Sequence, residues 1–320
     1  MEIPRFPEWG HLDVIDYLAL LWPDRSRRAI QSLFALGRIR SGSTPVAARR
    51  TVGKLDDLWL FGSLDDVERI PLGPGEEGRG PWPAIIHEDP RIVALSKPSG
   101  MPVVPDRTRS GGSCLAFLIR RELDARPRKS PGEFIRHRIV HRIDGLTSGL
   151  VLVAKTPEAE RQLSADFESH RIRKEYLAIL SGCVRPARFS VNCPVIPGRK
   201  GKMRAEVSRG AAEAGSALTD FDVLERFATV TLVRARPRTG RTHQIRVHAW
   251  AAGHPLAIDP LYGGPAGGAA GVRINGIERL TLHAQRYILP DGWEEPRVFE
   301  CPPPEDFEAA LDWLRRKSSP

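Results

Sequence analysis

Several of the features that most readily announce a function are missing from this chain. Cysteine is scarce: Cys114, Cys183, Cys193 and Cys301 stand far apart, with no Cys-x-x-Cys pair. That spacing argues against a zinc knuckle or a disulfide framework and suits a reducing cytoplasm. There is no His-Glu-x-x-His motif and no close Cys/His set, so no metal is expected, and His141, His243 and His254 read as orienting or turn residues. A Gly-x-x-x-x-Gly-Lys phosphate loop is also missing, which argues against nucleotide hydrolysis and leaves no cofactor to expect. The longest apolar runs, Tyr17–Trp22 and Gly149–Ala154, fall far short of the roughly 20 residues of a membrane helix. The opening MEIPRFPEWGHLD carries early acids and prolines and no apolar signal core. A soluble, cytoplasmic protein with no membrane partner is expected.

Acid is the other deficit. Lys and Arg number 48 against 39 Asp and Glu, a formal charge of +9 with a pI near 9.8. Such a balance favours partners that carry phosphate, nucleic acid first and anionic membrane second.

At 320 residues the chain has room for two domains. The expected division is a small module at 1–70, a Gly/Pro-rich linker at 71–83 (PLGPGEEGRGPWP) and a larger domain at 84–320. The front module sorts its charges sharply. Residues 25–55 hold eight basic side chains and no acid, whereas residues 56–77 hold seven acids and one Arg. One face of it is therefore expected to be strongly positive. Val14, Ile15, Leu18 and Leu21 recur at helical spacing, and Pro23-Asp24 breaks that helix. A second helix is expected from Ser26 as N-cap, carrying Ile30, Leu33 and Phe34 and ending at Gly37. Strand-like pieces follow around Ile39, Val52 and Leu58–Leu60. Ser26-Arg27-Arg28, Ile30-Gln31, Gly37-Arg38-Ile39 and Gly42 resemble the S-four-type RNA-binding fold of a small-subunit ribosomal protein and of tyrosyl-tRNA synthetases. The resemblance implies RNA-binding roles for Arg27, Arg28 and Arg38. It departs at Ser41, where that fold usually has Asn, and at Asp56-Asp57, where it usually closes with Gly-Asp. A generic basic helical hairpin is the alternative.

Beyond residue 84 the pattern becomes β-rich with helices between. Ala84–Glu88 and Arg91–Ser96 read as a hairpin about Asp89-Pro90, and Gly149–Ala154 as a buried strand. Glu158–His170 reads as a helix with Leu163 and Phe167 on one side. Glu175–Leu180, Leu218–Leu224 and Thr229–Ala235 are further strands, and a last helix, Asp306–Arg316, puts Phe307, Leu311 and Leu314 on one stripe. Strand and helix do not alternate regularly, so the fold class is α+β rather than a doubly wound parallel sheet.

One stretch carries the chemistry: His141-Arg142-Ile143-Asp144-Gly145-Leu146-Thr147-Ser148-Gly149-Leu150. It sets one carboxylate in a turn between two glycines, a cation two residues before it and small hydroxyls after it. Such a turn can hold Asp144 at the mouth of a cleft, or Asp144 can simply cap the turn. The stretch resembles the catalytic motif of RluA-type pseudouridine synthases, His-Arg-Leu-Asp-x-x-Thr-Ser-Gly, with Ile143 in place of Leu. Lys174-Glu175-Tyr176-Leu177-Ala178 resembles the family's Lys-x-Tyr-x-Ala block, and Thr239-Gly240-Arg241-Thr242-His243-Gln244-Ile245-Arg246-Val247-His248 its third block. Lys97-Pro98-Ser99-Gly100-Met101-Pro102-Val103, Asp259-Pro260-Leu261-Tyr262-Gly263 and Leu282-His283-Ala284 add weaker support in the same order. Ile258 stands where the family usually has Gly, a change expected to reshape a loop near the site.

The resemblance implies a catalytic domain on a mixed, largely antiparallel sheet, with Asp144 as the essential carboxylate, Tyr176 beside the target base and Arg246 paired with Asp144. It places Arg142 against the flipped nucleotide, with His141, Thr147, Arg241, His243 and Gln244 around the substrate and Lys174 toward the RNA. The partner implied is structured RNA, ribosomal or transfer, and the enzyme is expected to act as a monomer. Turning uridine into pseudouridine breaks the N-glycosidic bond, rotates the uracil and rejoins it through carbon, with no redox change. Asp144 can attack the anomeric carbon or remove the ribose 2′ proton. A cation beside it orients it and balances its charge. Thr242 is positioned to cap a helix ended by Gly253 and Pro255, which puts Arg246 in the first turn; a strand reading of the same residues stays open. Flipping the nucleotide costs a few kcal/mol. Ten basic side chains against two acids at 171–209, and six against none at 226–246, are expected to track the RNA backbone. A base-releasing N-glycosidase, which ordinarily needs two carboxylates, and a non-catalytic RNA-binding assembly factor are the competing readings.

Overall fold

The computed structural model describes residues 3, 12–22, 27–55, 57–60, 83–104, 114–123, 137–198, 202–205, 217–263 and 274–318. The chain opens with α1 (Val14–Leu21), α2 (Arg27–Ala35), β1 (Ile39–Ser41), β2 (Thr44–Pro45) and β3 (Trp59–Leu60). Next come β4 (Ala84–Glu88), β5 (Ile92–Lys97), α3 (Leu115–Glu122), β6 (Arg138–Ile139), β7 (Ser148–Ala154) and α4 (Pro157–Glu168). The strands β8 (Arg173–Ser181), β9 (Arg188–Asn192), β10 (Val195–Pro197), β11 (Met203–Ala205), β12 (Leu218–Arg226) and β13 (Val230–Pro237) follow. The last elements are α5 (Gln244–Ala251), β14 (Leu282–Ile288), β15 (Val298–Glu300) and α6 (Glu305–Ser318). Among the described residues no helix is long and apolar enough to cross a membrane.

The chain forms two compact units, Met1–Trp82 with Pro102–Ile139, and Pro83–Met101 with Val140–Pro320. Residues 102–139 thus cluster with the front unit, although linear position groups them with the larger domain. The linker reading falls mostly on residues outside the described ones, as does Ser26.

In the front unit the apolar stripe of α1, with Val14, Tyr17, Leu18 and Leu21, packs with Ile30 and Leu33 of α2 and with Ile39, Leu58 and Leu60. Gly37 ends α2 with φ +63°, a left-handed conformation that costs any side-chain-bearing residue energy. Its N–H donates to Phe34 O, and the next N–H, of Arg38, to Leu33 O. Val52 lies in a short 3₁₀ turn, Val52–Lys54, rather than the strand its sequence suggests; its side chain is buried there without a ladder. Asp57 tightens the small sheet. Its Oδ1 accepts from Ser41 Oγ at 2.8 Å and Gly42 N at 2.7 Å, and its Oδ2 accepts from Trp59 Nε1 at 2.8 Å. The departure at Ser41 therefore bonds to Asp57, the residue of the Asp56-Asp57 pair that keeps the usual Asp.

The larger unit is built on one sheet in the order β4-β5-β7-β14-β8-β13-β12-β9, with β15 beside β14. Every pairing in that path is antiparallel except β7 with β14. All seven residues of β7 are buried, as a strand covered on both faces requires. At Gly149 (φ +113°) a Cβ would lie 2.2 Å from Ala284 O, so only glycine lets β14 approach there. The stripe of α6, Phe307, Ala310, Leu311 and Leu314, covers Leu177, Ile179 and Leu232 on one sheet face.

Candidate active site

Asp144 sits in the turn that leads into β7. Thr147 N donates to Asp144 O at 3.0 Å, closing the turn, and the Pro98–Gly100 loop holds it from outside. Gly100 N donates to Gly145 O at 2.8 Å and Ser99 Oγ to Leu146 O at 2.6 Å. Lys97, fully buried, donates its ammonium to Pro98 O, Met101 O and Gly145 O at 2.9, 2.8 and 3.1 Å. Three protons meet three carbonyls, which satisfies the group. Burial nevertheless pulls its pKa down to about 7, with the Asp144 charge opposing the fall.

Arg246 comes from the first turn of α5. Its Nε and Nη2 donate to Asp259 Oδ2 and Oδ1 at 2.8 and 2.7 Å, and its Nη1 donates to Asp144 Oδ2 at 3.3 Å. Arg246 is 2% exposed and Asp259 is fully buried, so neither charge would be tolerated there without the other. The Asp259 pair is the geometrically stronger one, a two-pronged fork. Asp259 is itself fixed by the N–H groups of Leu261 and Tyr262 at 2.8 and 3.1 Å.

The cap of α5 differs from its sequence reading. His243, not Thr242, occupies the N-cap position, in the left-handed region with φ 57°. Gln244 holds the approach to the helix instead. Its Oε1 accepts from Thr239 Oγ1 and Arg241 N, and its Nε2 donates to Leu218 O and Thr219 Oγ1, at 2.6 to 3.1 Å. A buried amide that satisfies four bonds replaces the hydroxyl cap, and the strand alternative for these residues is removed by α5 itself.

Tyr176 is buried on β8, and its hydroxyl lies 3.1 Å from that of Tyr287 on β14. Burial pushes its pKa up to about 12, so the phenol stays neutral. His141 stacks on Phe167 at 4.2 Å, and its Nε2 accepts from Leu152 N at 2.8 Å. Burial, with the Lys174 charge, drives its pKa to about 3. Lys174 Nζ donates to Thr239 O at 3.1 Å, with its pKa lowered to about 8 by burial.

These groups enclose a cavity of about 550 Å³, lined among others by Asp144, Tyr176, Arg246, Lys174, Arg241 and Tyr287, within the ~300–1,000 Å³ usual for small-ligand sites. His141, Arg142, Thr147, His243 and Gln244 also line it. Thr147 is buried and Arg142 exposed. Gln244 lines the cavity with both amide atoms already engaged by the protein, and His141 lines it with its Nε2 engaged. Arg38 belongs to the front unit, and the side chains of Arg27 and Arg28 lie outside the described ones.

The basic run at 226–246 is largely neutralised by neighbours that linear counting does not see. Arg234 pairs with Glu175 at 3.5 Å, Arg238 with Asp220 at 2.9 Å, and Arg236 with Asp222 across the β12–β13 ladder. The β12–β13 register sets Asp220 opposite Arg236 and Asp222 opposite Arg234, so each of these two acids pairs diagonally with the base two residues further along β13. Four side chains that matter here had no assigned role in the sequence: Lys97, Asp259, Tyr262 and Tyr287. The first three lie in the weaker blocks quoted above, where an acid followed by Pro and Gly signals a turn that its own carboxylate ties. Tyr287 carries no such signal; only the β14–β8 pairing brings it to Tyr176.

Residues 91–251 match the family model described as RNA pseudouridylate synthase. The chain is 38% identical over 72% of its length to ribosomal large subunit pseudouridine synthase C of Vibrio vulnificus, covering 69% of that protein. It is 32% identical over 98% of its length to ribosomal large subunit pseudouridine synthase D of Pseudomonas aeruginosa, covering 95% of it. Among solved structures, human RNA pseudouridylate synthase domain containing 1 superposes with a TM-score of 0.54 at 25% identity, over 73% of this chain and 94% of that one.

Proposed function

The chain belongs to the RluA-type family of RNA pseudouridine synthases, and we propose that it isomerises uridines of large-subunit ribosomal RNA, with Asp144 as the carboxylate that acts at the ribose. The observation that carries this reading is the position of Asp144 at a nucleoside-sized cavity, 3.3 Å from the Arg246 guanidinium. The names of the two relatives, both large-subunit ribosomal enzymes, favour ribosomal over transfer RNA.

In this reading a uridine leaves its stack and enters the cavity, and exposed Arg142 next to Asp144 supports the vacated position. The C1′–N1 bond breaks with Asp144 attacking C1′ or taking the 2′ proton. The uracil turns, C5 bonds to C1′, the C5 proton leaves and N1 gains one. Atoms balance without any donor or oxidant. Arg246 keeps the carboxylate in place while Asp259 keeps Arg246 in place, a preorganised arrangement that needs no rearrangement during reaction. Neutral Tyr176 offers a ring to the base rather than an ionised base.

Ribosomal RNA labelled with tritium at uridine C5 tests the reading. The wild-type protein should release tritium to water and leave pseudouridine in the RNA. Asp144→Asn should lower that rate by about 10³- to 10⁴-fold. Free labelled uracil without pseudouridine would instead identify an N-glycosidase. No change in the RNA at all would identify a binding protein.

A further inference from the structure

His243 combines three features that a turn residue does not need. It adopts a left-handed backbone conformation, one of two side-chain-bearing residues to do so among those described, and such strain gathers at functional sites. Its ring is 16% exposed and lines the same cavity as Asp144. Its two nitrogens face different partners: Nδ1 is 2.7 Å from Tyr262 Oη, and Nε2 is 3.9 Å from Asp144 Oδ1.

Hydrogen-bond counting favours one placement of the His243 proton. Tyr262 Oη already accepts from Met203 N at 2.8 Å. Burial raises the Tyr262 pKa, so its hydroxyl keeps its proton. Among the described residues, the acceptor in hydrogen-bond reach of that proton is His243 Nδ1. With Tyr262 donating to Nδ1 the hydroxyl proton is satisfied, and a neutral imidazole then carries its own proton on Nε2. Burial lowers the His243 pKa and favours that neutral form. The result is an N–H donor, fixed by a second ring, that points at the Asp144 side of the cavity without bonding to Asp144.

Given Asp144 as the group acting at the ribose, we propose that His243 Nε2–H is a catalytic hydrogen-bond donor to the uracil carbonyl that lies next to C1′. In uridine that oxygen is O2, bonded to the carbon beside N1. As C1′–N1 breaks, the bonding pair moves onto the uracil and is shared by N1 and O2. A neutral imidazole donor aimed there stabilises the developing charge without transferring its proton. The symmetry of uracil extends the role. Half a turn about the axis through N3 and C6 exchanges N1 with C5 and O2 with O4. One immobile donor beside C1′ thus meets O2 before the turn and O4 after it, and it holds the detached base between the two bonds.

Kinetics on C5-tritiated RNA with the full-length protein tests this. His243→Asn shortens the side chain so that no donor reaches the Nε2 position, whereas His243→Gln keeps an amide N–H close to it. His243→Asn should lower kcat by about 10²-fold, leave KM for RNA unchanged and leak free uracil. His243→Gln should recover most of kcat and retain the uracil. Tyr262→Phe, which removes the hydroxyl that sets the tautomer but keeps the ring beside Arg246, should lower kcat by about 10-fold at unchanged KM. It serves as the deciding variant if His243→Asn does not fold. Wild-type kcat in either His243→Asn or Tyr262→Phe, or equal damage in His243→Asn and His243→Gln with no uracil released, overturns the inference. Absence of pseudouridine with the wild-type protein would instead overturn the functional reading beneath it.

Discussion

One wall of the cavity rests on a buried ion pair, Arg246 against Asp259; another rests on neutral rings, Tyr176 against Tyr287 and His141 against Phe167. Burial acts on the two walls in opposite ways. On the first it makes charge tolerable only in pairs, so each charged group is held by a partner of opposite sign. On the second it suppresses charge, raising the Tyr176 pKa to about 12 and lowering that of His141 to about 3. Tyr176 and His141 thereby stay neutral near pH 7, although the Lys174 charge lies close enough to His141 to add to the fall in its pKa.

Removing one member of the charged pair should break this contrast most severely. Asp259→Ala strands Arg246 in the interior and should cost about 3–5 kcal/mol of stability, read by urea unfolding, with a fall in kcat as Arg246 loses its fork. Wild-type stability in that variant would mean the pair is not what holds this wall. Acid probes the neutral wall. His141 titrates near 3 when folded and His283, whose Nε2–H donates to Cys301 O, near 4, against about 6.5 in an unfolded chain. Both folded values are depressed, so the unfolded chain binds the extra protons. Their contribution is intact above pH 6.5 and is lost as pH falls toward 4 and 3, by up to about 1.4 kcal/mol per unit for each histidine. Urea unfolding from pH 7 to 4 should show this slope, and His141→Gln should flatten it; an unchanged slope in the variant would show that His141 is not one of its sources. The smallest effect should come from Tyr287→Phe, which leaves the Tyr176 hydroxyl without its 3.1 Å partner and should cost about 1 kcal/mol. A several-hundred-fold loss of kcat there would mean that the neutral wall takes part in the chemistry after all.

Much of this architecture is legible in the linear chain. The α1 stripe, the apolar run of β7 and the α6 stripe follow from periodicity, because each buries one face or both, and the β4–β5 hairpin follows from the Asp89-Pro90 turn beside the buried β5. The α5 segment is harder. Six of its eight residues are buried, Arg246 and His248 among them, so it lacks the polar face that marks a helix in sequence, and its cap is a strained histidine rather than the threonine that local rules favour. The surface charge runs mislead for a related reason: Arg234, Arg236 and Arg238 look unopposed until β8 and β12 bring Glu175, Asp222 and Asp220 beside them.

Linear order alone determined which groups are available for chemistry, namely one carboxylate in a glycine-flanked turn, one tyrosine and one arginine in three ordered blocks. Tertiary structure decided how they are paired and where their protons sit. Arg246 reaches Asp259 across 13 residues and Asp144 across 102, and His243 Nδ1 meets the hydroxyl of a tyrosine 19 residues away. Ion pairing and proton placement depend on distances of a few ångströms and on burial, and neither is written in the spacing of residues along the chain.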